Sequence, residues 1–281
     1  MPRAAVNGVE LDYEVVGDGA PLVFCHEFGG DRQSWDPQIK HFARRYRCVA
    51  YNHRGFPPSS VPETPEAYSQ EQLVEDLRAL LGQLGVGQAH LVGLSLGGNV
   101  VLNFALRYPE LCRGIVVAGT GSGTVDRERW EGDMAQNVAT LTEQGIAAFV
   151  DRYAEGPTRL QYRRKDPRGY TEFRAAFRRH SALGSALTIR GVILRRPTIF
   201  ALEERLDRLK VPTLLVVGDE DTPCLEPALF MKRHIADAGL VVLPRTGHTV
   251  NLEEPELFNR VVGDFLHTVE LGRWAGREDA A

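Results

Sequence analysis

Ser95 lies in a pentapeptide whose spacing suits nucleophilic catalysis. Residues 93–97 read Gly-Leu-Ser-Leu-Gly, which matches the pattern G-x-S-x-G. A short apolar run at 89–93 predicts a strand before the serine, and an apolar stretch at 99–107 predicts a helix after it. Such a sharp turn strains the serine backbone and needs small residues two positions before and two positions after it. Because the free amides of the helix start favour a developing oxyanion, the pattern predicts acyl transfer through Ser95.

A general base is needed because a serine hydroxyl is a poor nucleophile until its proton is removed. In chains with this pentapeptide the serine is followed first by an acid and then by a histidine. Among the eight histidines, four lie downstream of the serine, and of these His248 alone follows a predicted strand (240–243) in a loop with a glycine before it. His26 and His53 also follow predicted strands, but they precede the serine. The order therefore predicts His248 as the base.

The acid must come from a loop between the serine and the histidine. The β-branched and leucine-rich run at 213–217 predicts a strand, and the sequence Gly-Asp-Glu-Asp follows it. Three carboxylates, those of Asp219, Glu220 and Asp221, are therefore candidates for orienting the histidine.

Along most of the chain, short apolar runs alternate with amphipathic segments, and these segments must form the strands and helices that position the catalytic candidates. This alternation predicts an α/β fold with a mostly parallel, doubly wound sheet. An Asn-Gly pair at positions 7 and 8, between two apolar runs, predicts an antiparallel hairpin at the entry. Between 120 and 210 only helical patterns are found, which predicts an inserted helical cap, or lid. We expect the α/β core at 1–120 and 210–281, and the cap at 121–209.

Composition and charge exclude several other classes of protein. Hydrophobic residues make up 43% of the chain and charged residues 25%, which is typical of a globular protein. The chain has a net charge of −4, whereas duplex-binding proteins usually carry an excess of basic residues. No apolar run reaches the roughly 18–20 residues that span a bilayer, and the N-terminal residues lack the apolar region of a secretory signal. The four cysteines show no paired spacing, which argues against a disulfide framework or a zinc site. We expect a cytoplasmic enzyme with a small-molecule substrate and no cofactor, metal, nucleic acid or membrane partner.

With these three motifs in this order, the chain resembles the α/β-hydrolase family over nearly all of its length. The resemblance implies that Asp221 is the acid, since the family's acid stands three residues after the glycine of its loop. It also implies two backbone donors for an oxyanion. One is the amide of Leu96, directly after the nucleophile, and the other is the amide of Phe28, in the loop where similar hydrolases carry His-Gly-x-Gly.

Position 27 departs from the family pattern, because a glutamate stands where similar hydrolases carry glycine. Glu27 brings a carboxylate close to the predicted oxyanion loop, where it could act as an extra acid or base or repel anionic substrates. The alternative is a structural role, in which the carboxylate turns away and bonds with a nearby arginine such as Arg54. We favour the structural role, since buried glutamates are usually paired.

A basic stretch runs through the predicted cap. Between 159 and 196 the chain has ten arginines and one lysine against two acids. Charge runs are usually solvated surfaces, but an arginine that faces the cleft could hold a substrate carboxylate or phosphate. We regard Arg190, Arg195 and Arg196 as candidates for substrate binding, because they lie nearest the return of the cap to the core, and we add Glu27 of the predicted oxyanion loop as a further candidate.

These residues favour a serine hydrolase that cleaves an ester, a thioester or a lactone through an acyl-enzyme on Ser95. The substrate would be small to medium in size, and a carboxylate on it would suit the cap arginines. A carbon–carbon bond hydrolase shares this triad and stays open as an alternative. A slow-turnover ligand receptor and a cofactor-free oxygenase also occur on this scaffold. Low turnover with ligand-dependent binding to another protein would reveal the receptor, and oxygen uptake would reveal the oxygenase.

Overall fold

A single mixed sheet organises the molecule in this computed structural model, which describes residues 2–121 and 125–274. The strand order is β1-β2-β4-β3-β5-β6-β7-β8, with β3 to β8 parallel and β1 and β2 antiparallel to their neighbours. The predicted α/β class with a mostly parallel sheet is confirmed. The strands are β1 (Arg3–Val6), β2 (Val9–Val16), β3 (Ala20–Cys25), β4 (Tyr46–Tyr51), β5 (Ala89–Leu94), β6 (Cys112–Ala118), β7 (Thr213–Gly218) and β8 (Ala238–Leu243).

The entry hairpin is also confirmed. Asn7 and Gly8 join β1 to β2 with φ values of 44° and 78°, and a type I′ turn requires positive φ at both of these positions.

Helices pack on both faces of the sheet. None of those in the described ranges combines the length and the apolar character needed to cross a membrane. A π-helical turn, Ile189–Ile193, directly continues α8. The helices are α1 (Asp36–Phe42), α2 (Gln70–Gln83), α3 (Leu96–Arg107), α4 (Arg127–Glu143), α5 (Gly145–Tyr153), α6 (Leu160–Lys165), α7 (Pro167–Phe177), α8 (Ala182–Thr188), α9 (Glu203–Asp207), α10 (Thr222–His234), α11 (Val250–Glu253) and α12 (Pro255–Glu270).

The core consists of two large apolar clusters because successive strand residues point to opposite faces of the sheet. In β3, Val23 and Cys25 join the cluster beneath α2 and α3, whereas Leu22 and Phe24 join the cluster beneath α1 and α12. The parallel strands are thus covered on both sides, and their carboxyl ends form one edge of the sheet.

The described residues between β6 and β7 form helices and turns without a strand. We call α4 to α9 the inter-strand helices. The predicted cap at 121–209 includes residues 122–124, and the predicted core includes Met1 and residues 275–281; all of these lie outside the described ranges. Phe149 and Phe177, from α5 and α7, make edge contacts with Phe28 after β3, with ring centroids 6.0 and 6.1 Å apart. The inter-strand helices therefore pack against the edge formed by the carboxyl ends of the strands.

Candidate active site

Ser95 lies at the sharp turn from β5 to α3. Its backbone has φ 55° and ψ −108°, and a non-glycine residue with such strained angles costs about 1–3 kcal/mol. Its amide donates to the Ala118 carbonyl at 2.8 Å. The flanking glycines allow this close packing, since a Cβ on Gly93 would lie 2.2 Å from the Gly97 carbonyl oxygen and one on Gly97 would lie 2.0 Å from the Cys25 carbonyl oxygen. The small residues that the motif requires are thus explained by backbone contacts on both sides of the serine.

His248 and Asp221 meet at the same edge of the sheet. Asp221 follows β7 and His248 follows β8, and His248 Nδ1 lies 2.7 Å from Asp221 Oδ2. With the Nδ1 proton donated to the carboxylate, Nε2 is left to accept a proton. Burial alone would lower the pKa of His248, but the Asp221 carboxylate more than offsets this and raises that pKa above its ordinary value. The pair can therefore hold an imidazolium.

The two other candidate acids hold loops instead. Asp219 is exposed and accepts a hydrogen bond from the Thr246 amide at 3.0 Å. Glu220 is also exposed, and both of its carboxylate oxygens accept from Gln161 Nε2, at 2.7 and 2.8 Å. Of the three carboxylates, only that of Asp221 is hydrogen-bonded to the histidine.

A fourth carboxylate, which sequence reasoning missed, supports the histidine loop. Glu253 is buried and accepts hydrogen bonds from the Gly247 amide at 2.7 Å and the Thr249 amide at 3.1 Å, on either side of His248. Burial raises the pKa of Glu253, and these hydrogen bonds offset only part of that effect. The one signal in the sequence is an acid five residues after the histidine, at the start of the closing helices.

A cavity of about 180 Å³ joins the predicted catalytic residues. Ser95, Asp221 and His248 line it together with Phe28 and Leu96. No hydrogen bond between the Ser95 hydroxyl and His248 is present in the part of the chain that the structure describes; catalytic hydrogen bonds are often long before substrate binds. Much of the remaining lining is apolar and comes from the inter-strand helices and the π-helical turn: Trp130, Met134, Ile189 and Ile193.

The loop after β3 is held by a histidine pair. His53 donates its amide to His26 Nε2 at 3.0 Å, so His26 Nδ1 carries the proton and donates to the Glu27 carbonyl at 2.7 Å. Burial lowers the pKa of His26, which keeps the ring neutral. Across the described ranges, the amides of Phe28 and Leu96 make no hydrogen bond. Because Phe28 and Leu96 both line the cavity, these amides stay the candidate donors to an oxyanion.

Glu27 forms a buried ion pair with Arg159, from the turn before α6. Arg159 Nη1 and Nη2 donate to the two carboxylate oxygens at 2.8 and 2.5 Å, and both side chains are at most 2% exposed. Burial alone would raise the pKa of Glu27, but the guanidinium holds it below its usual range. Glu27 Oε2 also lies 3.9 Å from His248 Nε2, the ring nitrogen that is free to accept a proton.

Glu27 does pair with an arginine, as the structural interpretation expected, but Arg54 is the wrong partner and the carboxylate does not turn away from the site. Arg54 instead donates to both carboxylate oxygens of Asp76, at 2.6 and 2.7 Å. Arg159 lies 132 positions from Glu27 in the chain, and sequence reasoning counted it in the basic stretch without assigning it a role. A glutamate in a buried loop requires a cation, and this was the available signal.

The three arginines predicted to bind substrate lie in different environments. Arg190 and Arg195 are exposed and do not line the cavity that contains Ser95. Arg196 is buried and lines that cavity.

One set of side chains at the site has the ligand types of a metal centre. Asp221, Cys224 and His248 bring a carboxylate oxygen, a thiol sulfur and an imidazole nitrogen within 4.8 Å of one another. Metal binding requires a thiolate, and burial raises the pKa of Cys224 well above its usual range, with the nearby Asp221 carboxylate raising it further. An ion here would also displace the short bond between Asp221 and His248, so this geometry favours the proton-transfer pair.

Comparisons with known proteins place these features in context. The family model described as "alpha/beta hydrolase fold" matches residues 20–255. The chain is 27% identical to 3-oxoadipate enol-lactonase 2 of Acinetobacter baylyi, over 90% of this chain and 92% of that protein. Among solved structures it resembles the enol-lactonase from Burkholderia xenovorans LB400, with a TM-score of 0.83 and 27% identity over 95% of this chain and 100% of that one. It also resembles an N-acyl homoserine lactone degrading enzyme, with a TM-score of 0.78 and 28% identity over 94% of this chain and 100% of that one.

Proposed function

Because the chain belongs to the alpha/beta hydrolase fold family, we propose that it is a serine hydrolase that cleaves an ester, a thioester or a lactone through an acyl-enzyme on Ser95. One observation carries the proposal. The strained serine at the β5–α3 turn and the short His248–Asp221 pair line the same cavity, beside two backbone amides that have no hydrogen-bond partner among the described residues. The lactone and ester chemistry of the similar proteins agrees with it.

The reaction starts with proton transfer from Ser95 to His248 Nε2. As the proton leaves, Ser95 Oγ attacks the carbonyl carbon of the substrate, and the carbonyl oxygen becomes an oxyanion. The amides of Phe28 and Leu96 donate hydrogen bonds to that oxygen. Each such donor contributes roughly 3–4 kcal/mol to lowering the barrier in related chemistry.

Collapse of the tetrahedral intermediate breaks the bond to the leaving oxygen or sulfur. His248 gives its proton to that atom, and the acyl group stays on Ser95 as an ester. A water molecule then loses a proton to His248 and attacks the acyl carbon. As the bond between the acyl carbon and Ser95 Oγ breaks, His248 returns that proton to Oγ, which releases the carboxylic acid and free Ser95. In a lactone the leaving oxygen belongs to the same molecule, so one hydroxy acid is the product.

Asp221 keeps the imidazole oriented and stabilises its charged form during both steps. The raised pKa of His248 has the same cause, since the adjacent carboxylate favours the imidazolium. We also propose that the inter-strand helices, as the cap over residues 121–209, define the acyl pocket, because Trp130, Met134 and Ile193 supply apolar lining. A cavity of this size suits a small-to-medium acyl group better than a long chain.

A serine-reactive fluorophosphonate tests the proposal without knowledge of the substrate. We expect one covalent adduct per chain, found on the peptide that contains Ser95, and no adduct in Ser95→Ala. Ser181→Ala is a matched control, since this hydroxyl caps α8 by accepting from the Gly184 amide at 3.0 Å. With p-nitrophenyl esters of increasing chain length or with simple lactones, Ser95→Ala is expected to lower kcat by roughly 10⁴-fold or more. Labelling that persists in folded Ser95→Ala would overturn the assignment.

A further inference from the structure

Arg196 is a buried cation that no partner neutralises in the described part of the chain. Its side chain is enclosed, and neither Nε nor Nη1 forms a hydrogen bond there. Burial lowers the pKa of Arg196 to about 9, which still leaves it charged at neutral pH. Because an isolated buried charge costs several kcal/mol, such an arginine needs a compensating partner.

Two other arginines of this part of the chain have such partners. Arg159 is paired with Glu27, and Arg127 donates from Nε to Glu131 at 2.5 Å. Arg196 has no carboxylate within 4.0 Å among the described residues. Arg196 is therefore a buried cation without a compensating carboxylate in the described part of the chain.

Arg196 also belongs to the candidate active site. It lines the same cavity as Ser95 and His248, and much of the remaining lining is apolar. We propose that Arg196 binds a carboxylate of the substrate, so that the enzyme acts on esters or lactones that carry one free carboxylate on a compact apolar body. This inference rests on the proposed function, since it assigns the substrate class of the same site.

A carboxylate fits this position for two reasons. The planar guanidinium presents its donors as a fork that matches the two oxygens of a carboxylate. One uncompensated charge also matches a monoanion better than a phosphate dianion. On its other side Arg196 borders a second cavity, of about 350 Å³, whose acids Glu66 and Glu71 are exposed and lie beyond ion-pair distance.

Kinetic discrimination between matched substrates tests the inference. Monomethyl glutarate carries a free carboxylate at the end where the methyl ester of glutaramic acid carries a neutral amide, and the two esters are otherwise identical. We expect wild-type kcat/KM to favour the acid by roughly 10- to 100-fold, as a charge-assisted hydrogen bond allows. Arg196→Met should abolish that preference, because kcat/KM for the acid should fall by roughly 10-fold or more beyond any fall in kcat/KM for the amide, while Arg196→Lys should keep part of it. Arg195→Met is the matched control, since the adjacent Arg195 is exposed, and it should retain the wild-type ratio.

Binding to the inactive Ser95→Ala variant separates this inference from the proposed function. Calorimetric titration with monomethyl glutarate should give a Kd that rises at least tenfold when Arg196→Met is added. An unchanged Kd, or a wild-type preference that survives Arg196→Met, would overturn the carboxylate site while leaving fluorophosphonate labelling of Ser95 intact. Loss of labelling with retained Arg196-dependent binding would instead overturn the serine chemistry alone.

Discussion

Replacing Arg159 with methionine should destabilise the protein strongly and reverse the pH dependence contributed by Glu27. Both partners of the pair are at most 2% exposed, and the guanidinium also lies 5.2 Å from the Phe173 ring centroid and 5.6 Å from that of Tyr153. Arg159→Met leaves the Glu27 carboxylate buried without a cation. Removing one partner of a buried pair costs about 3–5 kcal/mol in the free energy of unfolding.

The sign of the pH dependence follows from the pKa of Glu27. In the wild type this pKa is held below its unfolded value, so the stabilisation from the pair is present above the unfolded pKa and is lost as the pH falls through the folded pKa. In Arg159→Met burial, the largest effect on Glu27, raises its pKa, and only His248 and the Gly29 amide oppose it, so we expect the pKa to rise. The folded variant then holds a proton that the unfolded chain releases, so its stability relative to wild type declines as the pH rises from about 4.5 through the raised pKa.

Urea unfolding at pH 5 and pH 8 measures both effects. We expect Arg159→Met to lose about 3–5 kcal/mol at pH 8 and clearly less at pH 5. The double variant Glu27→Gln/Arg159→Met removes both charges and should recover most of the loss, which gives a large coupling energy. A loss below about 1 kcal/mol at pH 8, or an equal loss at both pH values, would refute this account of the pair.

Two further predictions concern the catalytic loops. Glu27→Gln should lower the pKa of His248, because it removes a carboxylate that raises this pKa and leaves the opposing Arg159 charge unbalanced. The acidic limb of the pH profile of kcat/KM should therefore move to lower pH. A limb that stays in place or moves to higher pH in the folded variant would contradict this coupling. Gly97→Ala should cost at least about 1–3 kcal/mol and lower kcat, because its Cβ would meet the Cys25 carbonyl at 2.0 Å. Gly82→Ala is the control, because residue 82 lies in α2 with open space around it, and this variant should be neutral or stabilising by up to about 1 kcal/mol. Equal unfolding midpoints for the two variants would argue against the predicted clash with the Cys25 carbonyl.

The fold was largely predictable because its signals are local. Periodic apolar runs marked the central strands, and the parallel arrangement brings their carboxyl ends to one edge, so the loops that contain Ser95, Asp221 and His248 could be expected to meet there. The cation that partners Glu27 was not predictable in this way. Arg54 is closer to Glu27 in sequence, but Arg54 is paired with Asp76 of α2. Arg159 lies in a turn with no periodic pattern. Tertiary packing decides which of several arginines contacts a buried carboxylate, and sequence spacing does not predict that packing.

The charged side chains around the cavity together set the net charge that a substrate meets there. The Glu27–Arg159 pair is neutral overall. The Asp221–His248 pair carries one negative charge while the imidazole is neutral and no net charge once the imidazole is protonated. Arg196 adds a positive charge that nothing else in the described ranges balances. Proton transfer from Ser95 to His248 does not change the total charge, but the imidazolium, the Asp221 carboxylate and Arg196 together then present one net positive charge to the negative charge that develops on the substrate, although the chain as a whole carries −4. Because the walls are largely apolar, that charge is weakly screened and acts both on a substrate carboxylate and on the developing oxyanion. The same arginine would therefore serve recognition in the ground state and stabilise the transition state, so its removal should lower kcat for carboxylate substrates as well as raise KM.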